Sequence, residues 1–477
     1  MSLSTITQTK RSARPERFLF NISATSRRGE VRAQPSAVTS SLTGSPNPEH
    51  SLARVLSAYI AAGLLFMLLP GTFLGVWNLL SISAEHSASS LSGAWIQAHG
   101  HAQIFGWIGT FIIGIGYYSL SKMGAIPAFA ARRAWTSWML WTAGVLLRWC
   151  ANVTLWHWRI LLPLSAAFEL SGFLIFFLTI SRHKSNSPRR HPETWMLLVV
   201  ASTFGFLLLL LFNAALAVVL AGRAAGPEIP HGLDQRFLVL ATWGVPVPAV
   251  WGFNARWLPA FMGLPRSRTR GLGIAMLLMA AGVMLAFIGY FGVAFTVLLT
   301  AAVAASASLR IFSRAERPAI LQGVHRFFPA FVRLSYVWLV ISALLSVWAA
   351  AADRNGGIWG ASRHALTVGF LAGMIFAIAP RILPAFAGGR ELYSRTLMLI
   401  SGALLNLGCL LRVASEIPAY EGHYRFAWQV LPGSAVIELT AVTLFALNIA
   451  LTEVRAPKPV VDSTLYQISS TPKASQI

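Results

Sequence analysis

An all-α, polytopic membrane helical bundle of about twelve transmembrane helices is the fold class this sequence predicts, and three observations carry that expectation. Of 477 residues, 55% are apolar and only 11% charged, with a mean hydropathy of +0.61. Ordinary soluble domains hold roughly 25% charged residues, so the bilayer must solvate much of this surface. Hydropathy rises twelve times over stretches long enough to cross about 30 Å of hydrocarbon as helix. In hydrocarbon each backbone amide must be satisfied within its own segment, and only a helix does this for such runs.

The elements follow in order. Residues 1–54 are rich in Ser, Thr and Arg, with Lys10, Arg11, Arg14 and Arg17 among them, and read as a basic, disordered cytoplasmic tail. Such a composition also fits an organelle transit peptide, and it lacks the apolar core of a secretory signal. The transmembrane domain spans residues 55–452. Its first six spans are Val55–Leu80, Ala94–Ser121, Ala134–Leu155, Ile160–Ser181, Trp195–Ala221 and Phe237–Leu258. The second six are Gly271–Gly289, Phe291–Phe312, Leu334–Ala351, Gly357–Gly388, Thr396–Val413 and Trp428–Thr452. Residues 453–477 form a short cytoplasmic tail.

With 38 Lys and Arg against 16 Asp and Glu, the formal charge is +22. The basic residues are spread over loops rather than gathered in one patch, which argues against nucleic acid as a partner and for membrane orientation. Arg182, Lys184, Arg189 and Arg190 fall on the same side as Arg266, Arg268 and Arg270 only if twelve spans are counted. Cytoplasmic loops collect such residues, so both termini are expected inside. Cys150 and Cys409 lie in separate apolar runs, which argues against a disulfide framework and against a thiolate metal site.

A threefold repeat runs through the spans. Arg256-Trp257-Leu258-Pro259-Ala260-Phe261-Met262-Gly263 ends span six, and Arg381-Ile382-Leu383-Pro384-Ala385-Phe386-Ala387-Gly388 ends span ten. Span two carries His101-Ala102-Gln103-Ile104-Phe105-Gly106, and span ten carries His364-Ala365-Leu366-Thr367-Val368-Gly369. In span six Val239 stands at the histidine position. The following helices hold Gly144 to Arg148, Gly282 to Ala286 and Gly408 to Arg412 in one frame, and Glu169-Leu170-Ser171 answers Glu438-Leu439-Thr440. Three sets of four helices result, at about residues 55–181, 195–312 and 334–452. The first and third sets carry His, Arg and Glu, and the second has lost the first two.

Ionisable side chains inside spans point to function by default, with pairing between helices as the competing reading. From the helical rise, His101, His364 and Arg148 lie roughly 10 Å below the outer surface, Arg412 rather less, and Glu169 and Glu438 slightly deeper. Two neutral imidazoles facing each other can bind haem iron axially, and Arg148 and Arg412 could pair with its propionates. Glycine five residues after each histidine lets a macrocycle or a neighbouring helix come close. The alternative is a simple hydrogen bond across the bundle. His99 is about 200° round the helix from His101, so the two cannot face one iron. It is a second metal ligand, with copper as the metal, or an interface histidine. Glu169 and Glu438 relay protons, bind a cation, or pair with Arg148 and Arg412.

The stretch Ala98-His99-Gly100-His101-Ala102-Gln103-Ile104-Phe105-Gly106, with Arg363 to Gly369 and the Arg381 to Gly388 motif, resembles the NnrS family. Those are twelve-span bacterial inner-membrane proteins with haem and copper, linked to nitric oxide and nitrosative stress during denitrification. The resemblance covers roughly residues 55–452 and implies that membrane as the location. More distantly, the three groups of four helices are similar to haem-copper oxidase subunit I and to the related nitric oxide reductase. Carried over by position, His101 and His364 would be ligands of a low-spin, bis-histidine haem. The oxidase pattern also asks for a histidine in span six, a His-His pair near span seven and another histidine in span ten. Here Val239 occupies the first position, residues 237–258 and 271–289 contain no histidine, and span ten has only His364. Copper held by His99 and His157 would be unconventional. The expectation is therefore a haem protein of nitric oxide response or electron transfer, with an oxidoreductase of the haem-copper class and a transporter as alternatives. Internal repeats and membrane carboxylates also mark carriers. Whether the chain turns over a substrate, and whether a partner subunit completes it, stays open at this stage.

Overall fold

Among the described residues, twelve long helical runs follow one another in the order that hydropathy expects. The computed structural model describes residues 48–87, 90–122, 131–181, 193–386, 390–422 and 424–455, and no strand occurs among them. The first tail up to residue 47, the end of the second tail, and the loop with Arg182, Lys184, Arg189 and Arg190 lie outside the described residues. Ten runs are long and apolar enough to cross a membrane by length and composition. The other two are the Gly93–Lys122 run of span two and Ala131–Thr154 of span three, which carry His99, His101 and Arg148.

Several helices outrun their expected ends. Span one begins with Pro48–Phe66, span six with His231–Trp243, and span eleven is Arg395–Tyr420. At the start of span six and the end of span eleven hydropathy falls because Asp234, Gln235, Arg412 and Glu416 are polar. Those side chains face a shared interior cavity, so the helix continues past the point where the sequence turns hydrophilic. One consequence is a correction: span six does contain a histidine, since His231 opens it. It sits eight residues before Val239, about 12 Å along the axis.

The repeated glycine of the third, seventh and eleventh spans has one job in all three places. A Cβ on Gly144 would lie 2.7 Å from Glu169 Cγ, on Gly408 2.6 Å from Glu438 Cγ, and on Gly282 2.7 Å from Leu298 Cγ. Each glycine lets the next helix come to backbone contact, as small residues do between membrane helices. Leu298 therefore occupies in the middle set the place that Glu169 and Glu438 hold in the others.

Three spans widen into π-helical turns: Met67–Phe73 in span one, Ala102–Gly109 in span two and Ala365–Ala372 in span ten. Pro70 lies inside the first of these and lacks an amide hydrogen. The other two begin directly after His101 and His364, so the repeated His-Ala frame marks the start of a π segment both times. Such bulges are common at functional sites because they turn side chains out of α-helical phase. The glycines of that frame, Gly106 and Gly369, face Phe66 and Trp338 respectively, so they serve neighbouring helices.

Candidate functional site

Span two presents its two histidines to opposite sides. His101 is buried and stacks on Phe105, with ring centroids 4.1 Å apart. Its Nε2 lies 2.7 Å from Oε1 of Glu169 in span four. The other Glu169 oxygen accepts from Asn213 Nδ2 in span five at 3.0 Å, and Asn213 Oδ1 accepts from Arg148 Nη1 in span three at 3.3 Å. His101, Glu169, Asn213 and Arg148 thus form one continuous hydrogen-bonded chain, and none is more than 6% exposed. Burying these groups is tolerable because each finds a partner within the chain.

His99 points the other way. Its Nδ1 is 2.9 Å from the carbonyl oxygen of Gly71 in the π turn of span one. Gly75 makes room for the ring, since a Cβ there would lie 2.6 Å from His99 Cε1. His99 faces the last set of helices, within electrostatic reach of His364 and Arg412. His364 repeats the arrangement: its Nδ1 is 2.9 Å from the carbonyl oxygen of Gly360 and 3.2 Å from Glu416 Oε2. A carbonyl acceptor at Nδ1 fixes the proton there and leaves Nε2 with a bare lone pair, the state in which imidazole ligates a metal.

Arg412 is held by Glu416, Nε and Nη2 each donating at 3.1 Å. Its carboxylate partner is thus Glu416 rather than the Glu438 expected, and Arg412 also lines the shared interior cavity. Glu438 Oε1 is buried without a hydrogen-bond partner, and so is Arg148 Nε. Arg148 also lies in the field of Asp234, which in turn feels Arg363 and His231.

His99, His101, His364, Arg148, Arg412, Glu416 and Glu438 line one cavity of about 490 Å³, with Glu169 and Asn213 set behind its wall. Asp234, Val239 and Thr242 of span six close it, and Val76, Leu79, Ile104 and Leu366 give it an apolar wall. That volume suits a drug-sized or cofactor-sized ligand. Among the described residues, no three His, Cys, Asp or Glu side chains converge as metal ligands. His157 is exposed in the turn between spans three and four and does not reach the cavity, so it cannot share copper with His99.

The sequence reading missed Glu416, Asp234 and Asn213. The first two were placed beyond the ends of spans eleven and six, and the third carries no charge. Glu416 had one available signal, its position four residues after Arg412 on a helix that continues.

A sequence-family profile described as a domain of unknown function (DUF8744) matches residues 258–454. No curated protein matches. Among solved structures the chain is similar to one titled as a heme-copper terminal oxidase dimer, at 12% identity and a TM-score of 0.52, covering 86% of this chain and 85% of that one. The likeness shows the fold: an all-helical membrane bundle of the shape found in that oxidase chain.

Proposed function

We propose that this chain is a haem-binding protein of the bacterial inner membrane, with both termini cytoplasmic, that serves electron transfer or the nitric oxide response. One observation carries the reading. His99 and His364 lie on the wall of one cavity, each with Nδ1 held by a backbone carbonyl and Nε2 free. The fold of an oxidase chain supports it, as does the resemblance of the Ala98–Gly106 and Arg363–Gly369 stretches to NnrS, although that resemblance implied His101 rather than His99 as the partner of His364.

The donor set fits haem. His99 and His364 would hold the iron, and Arg148, with its buried Nε unpartnered, would take a propionate together with Arg363. A haem held by His99 and His364 would supply one-electron transfer. His101 is withdrawn from that role because Glu169 occupies its Nε2. The carboxylate keeps His101 against Phe105, and the Asn213 bridge keeps Arg148 aimed into the cavity. Val239 at the repeat position and the outer placement of His231 argue against a terminal oxidase.

Absorption spectra of the purified protein and three variants test this. The wild type should show a Soret band and a resolved low-spin α band. His364→Ala and His99→Ala should each lose the low-spin spectrum, whereas His101→Ala should keep it. A colourless protein from haem-replete cells overturns the proposal. Loss in His101→Ala with retention in His99→Ala would exchange the ligand on span two.

A further inference from the structure

At the opposite end of the bundle, the segment between spans six and seven and the segment between spans eight and nine are zipped together by their backbones. Arg268 N donates to Ser308 O at 2.8 Å, Glu316 N to Gly263 O at 2.9 Å, and Ile320 N to Phe261 O at 2.9 Å. Where the start of Thr269–Phe287 meets the end of Phe291–Ser308, this pairing frames an open notch of about 360 Å³. Its walls are Arg268, Ser306, Ala307, Arg310, Phe312 and Ser313.

Two features of the notch are unusual for a surface merely obeying a charge rule. Arg310 adopts a left-handed backbone, φ 57°, which costs a non-glycine residue energy and turns its side chain into the notch. Among the described residues, neither Arg268 nor Arg310 has an acidic partner, whereas Arg390 on the same face holds Glu453 at 3.2 Å. Arg333 and Arg381 there are also engaged, by the carbonyls of Ile311 and Ile320. Arg266, Arg270, Arg314 and Arg317 neighbour the notch residues in sequence and, with Glu316 the one acidic residue among them, add to the positive charge of this end. Ser306 donates its hydroxyl to Ala302 O, which leaves Ser313 as the free hydroxyl.

We infer that this notch binds the phosphate of an anionic phospholipid headgroup from the cytoplasmic leaflet. Arg268 and Arg310 are the charged walls, and a tetrahedral phosphate accepts from both guanidinium groups and from the Ser313 hydroxyl. The lipid assignment comes from what adjoins the notch. Phe312 at its rim is 56% exposed, and Val303 and Ile274 on the two helices beside it are 49% and 56% exposed. An acyl chain leaving the headgroup therefore meets an apolar, lipid-facing surface, which a free phosphate would not use. Basic pockets between helix ends on this side of a membrane hold anionic headgroups in the same way.

Native mass spectrometry of the full-length protein, released from detergent with added phosphatidylglycerol or phosphatidylcholine, reads this directly. The wild type should keep phosphatidylglycerol and not phosphatidylcholine. Arg268→Gln/Arg310→Gln should lower the bound fraction about tenfold or more. Arg266→Gln/Arg314→Gln, with the same change of charge outside the notch, should leave it within twofold. Equal loss in both double variants, or no loss in the first, overturns the assignment. Displacement of the lipid by inorganic phosphate at matching concentration would make the ligand a free phosphate and overturn the lipid source. Haem content is not read in this experiment, so its result is independent of the cavity.

Discussion

Glu416 answers for two side chains at once, His364 and Arg412, and it is only 3% exposed. Removing one member of a buried ion pair leaves the other charge without a partner, at a cost of about 3–5 kcal/mol. Glu416→Ala should therefore lower the thermal unfolding temperature of the solubilised protein sharply. Arg412→Met/Glu416→Met, which removes both charges, should recover most of the loss, because two apolar side chains of similar reach replace the pair. A double variant as unstable as the single one would show that the pair holds something besides itself. At this scale the sequence was a partial guide. His99, His101, His364, Arg148 and both expected carboxylates were legible as ionisable groups in apolar runs. Which nitrogen of His99 and of His101 is engaged was not, because that depends on helices 28 and 68 residues away in sequence meeting at Gly71 and Glu169.

Helices carry the next layer of constraint, and glycines and π turns carry it differently. Around Gly144 a new Cβ would meet not only Glu169 Cγ but Glu169 N and Ser165 O, both at 2.9 Å. Backbone atoms cannot turn aside, so Gly144→Ala should destabilise the pairing of spans three and four by about 1–3 kcal/mol. Gly100→Ala is the control, since nothing lies within 4 Å of its Cβ position and helix propensity favours alanine. Unfolding temperatures of the two variants should move in opposite directions. The π turn after His364 is tested by deleting Leu366. Removing one residue returns Ala365–Ala372 towards the α-helical period and changes the direction in which His364 leaves the helix relative to the rest of span ten. That protein should still reach the membrane and should lack the low-spin spectrum; an unchanged spectrum would mean that the π turn does not aim the ring. Repeat spacing made the glycines legible. The π turns were invisible to hydropathy, which has no term for hydrogen-bond register.

At the scale of the whole molecule, apolar runs made the bundle legible because hydrocarbon leaves the backbone no other choice. The helix ends at the cavity escaped, since polar residues there are solvated by one another. The orientation of the bundle rests on a different force, the bias of Lys and Arg towards cytoplasmic loops. Arg266, Arg268, Arg270, Arg310, Arg314 and Arg317 all leave the bundle at one end, while the short Ile288–Tyr290 connection at the other end holds none. Both termini should then be cytoplasmic, and the notch of Arg268 and Arg310 should face the anionic inner leaflet. Fusions to a bacterial alkaline phosphatase, which is active only after export, separate the two orientations. A fusion after Asp353, following nine spans, should be active, and one after Arg455, following twelve, should be inactive. A green fluorescent reporter at the second position should glow. The reverse pattern would place the histidine cavity at the cytoplasmic end, and the haem proposal would survive it, whereas the lipid notch would not.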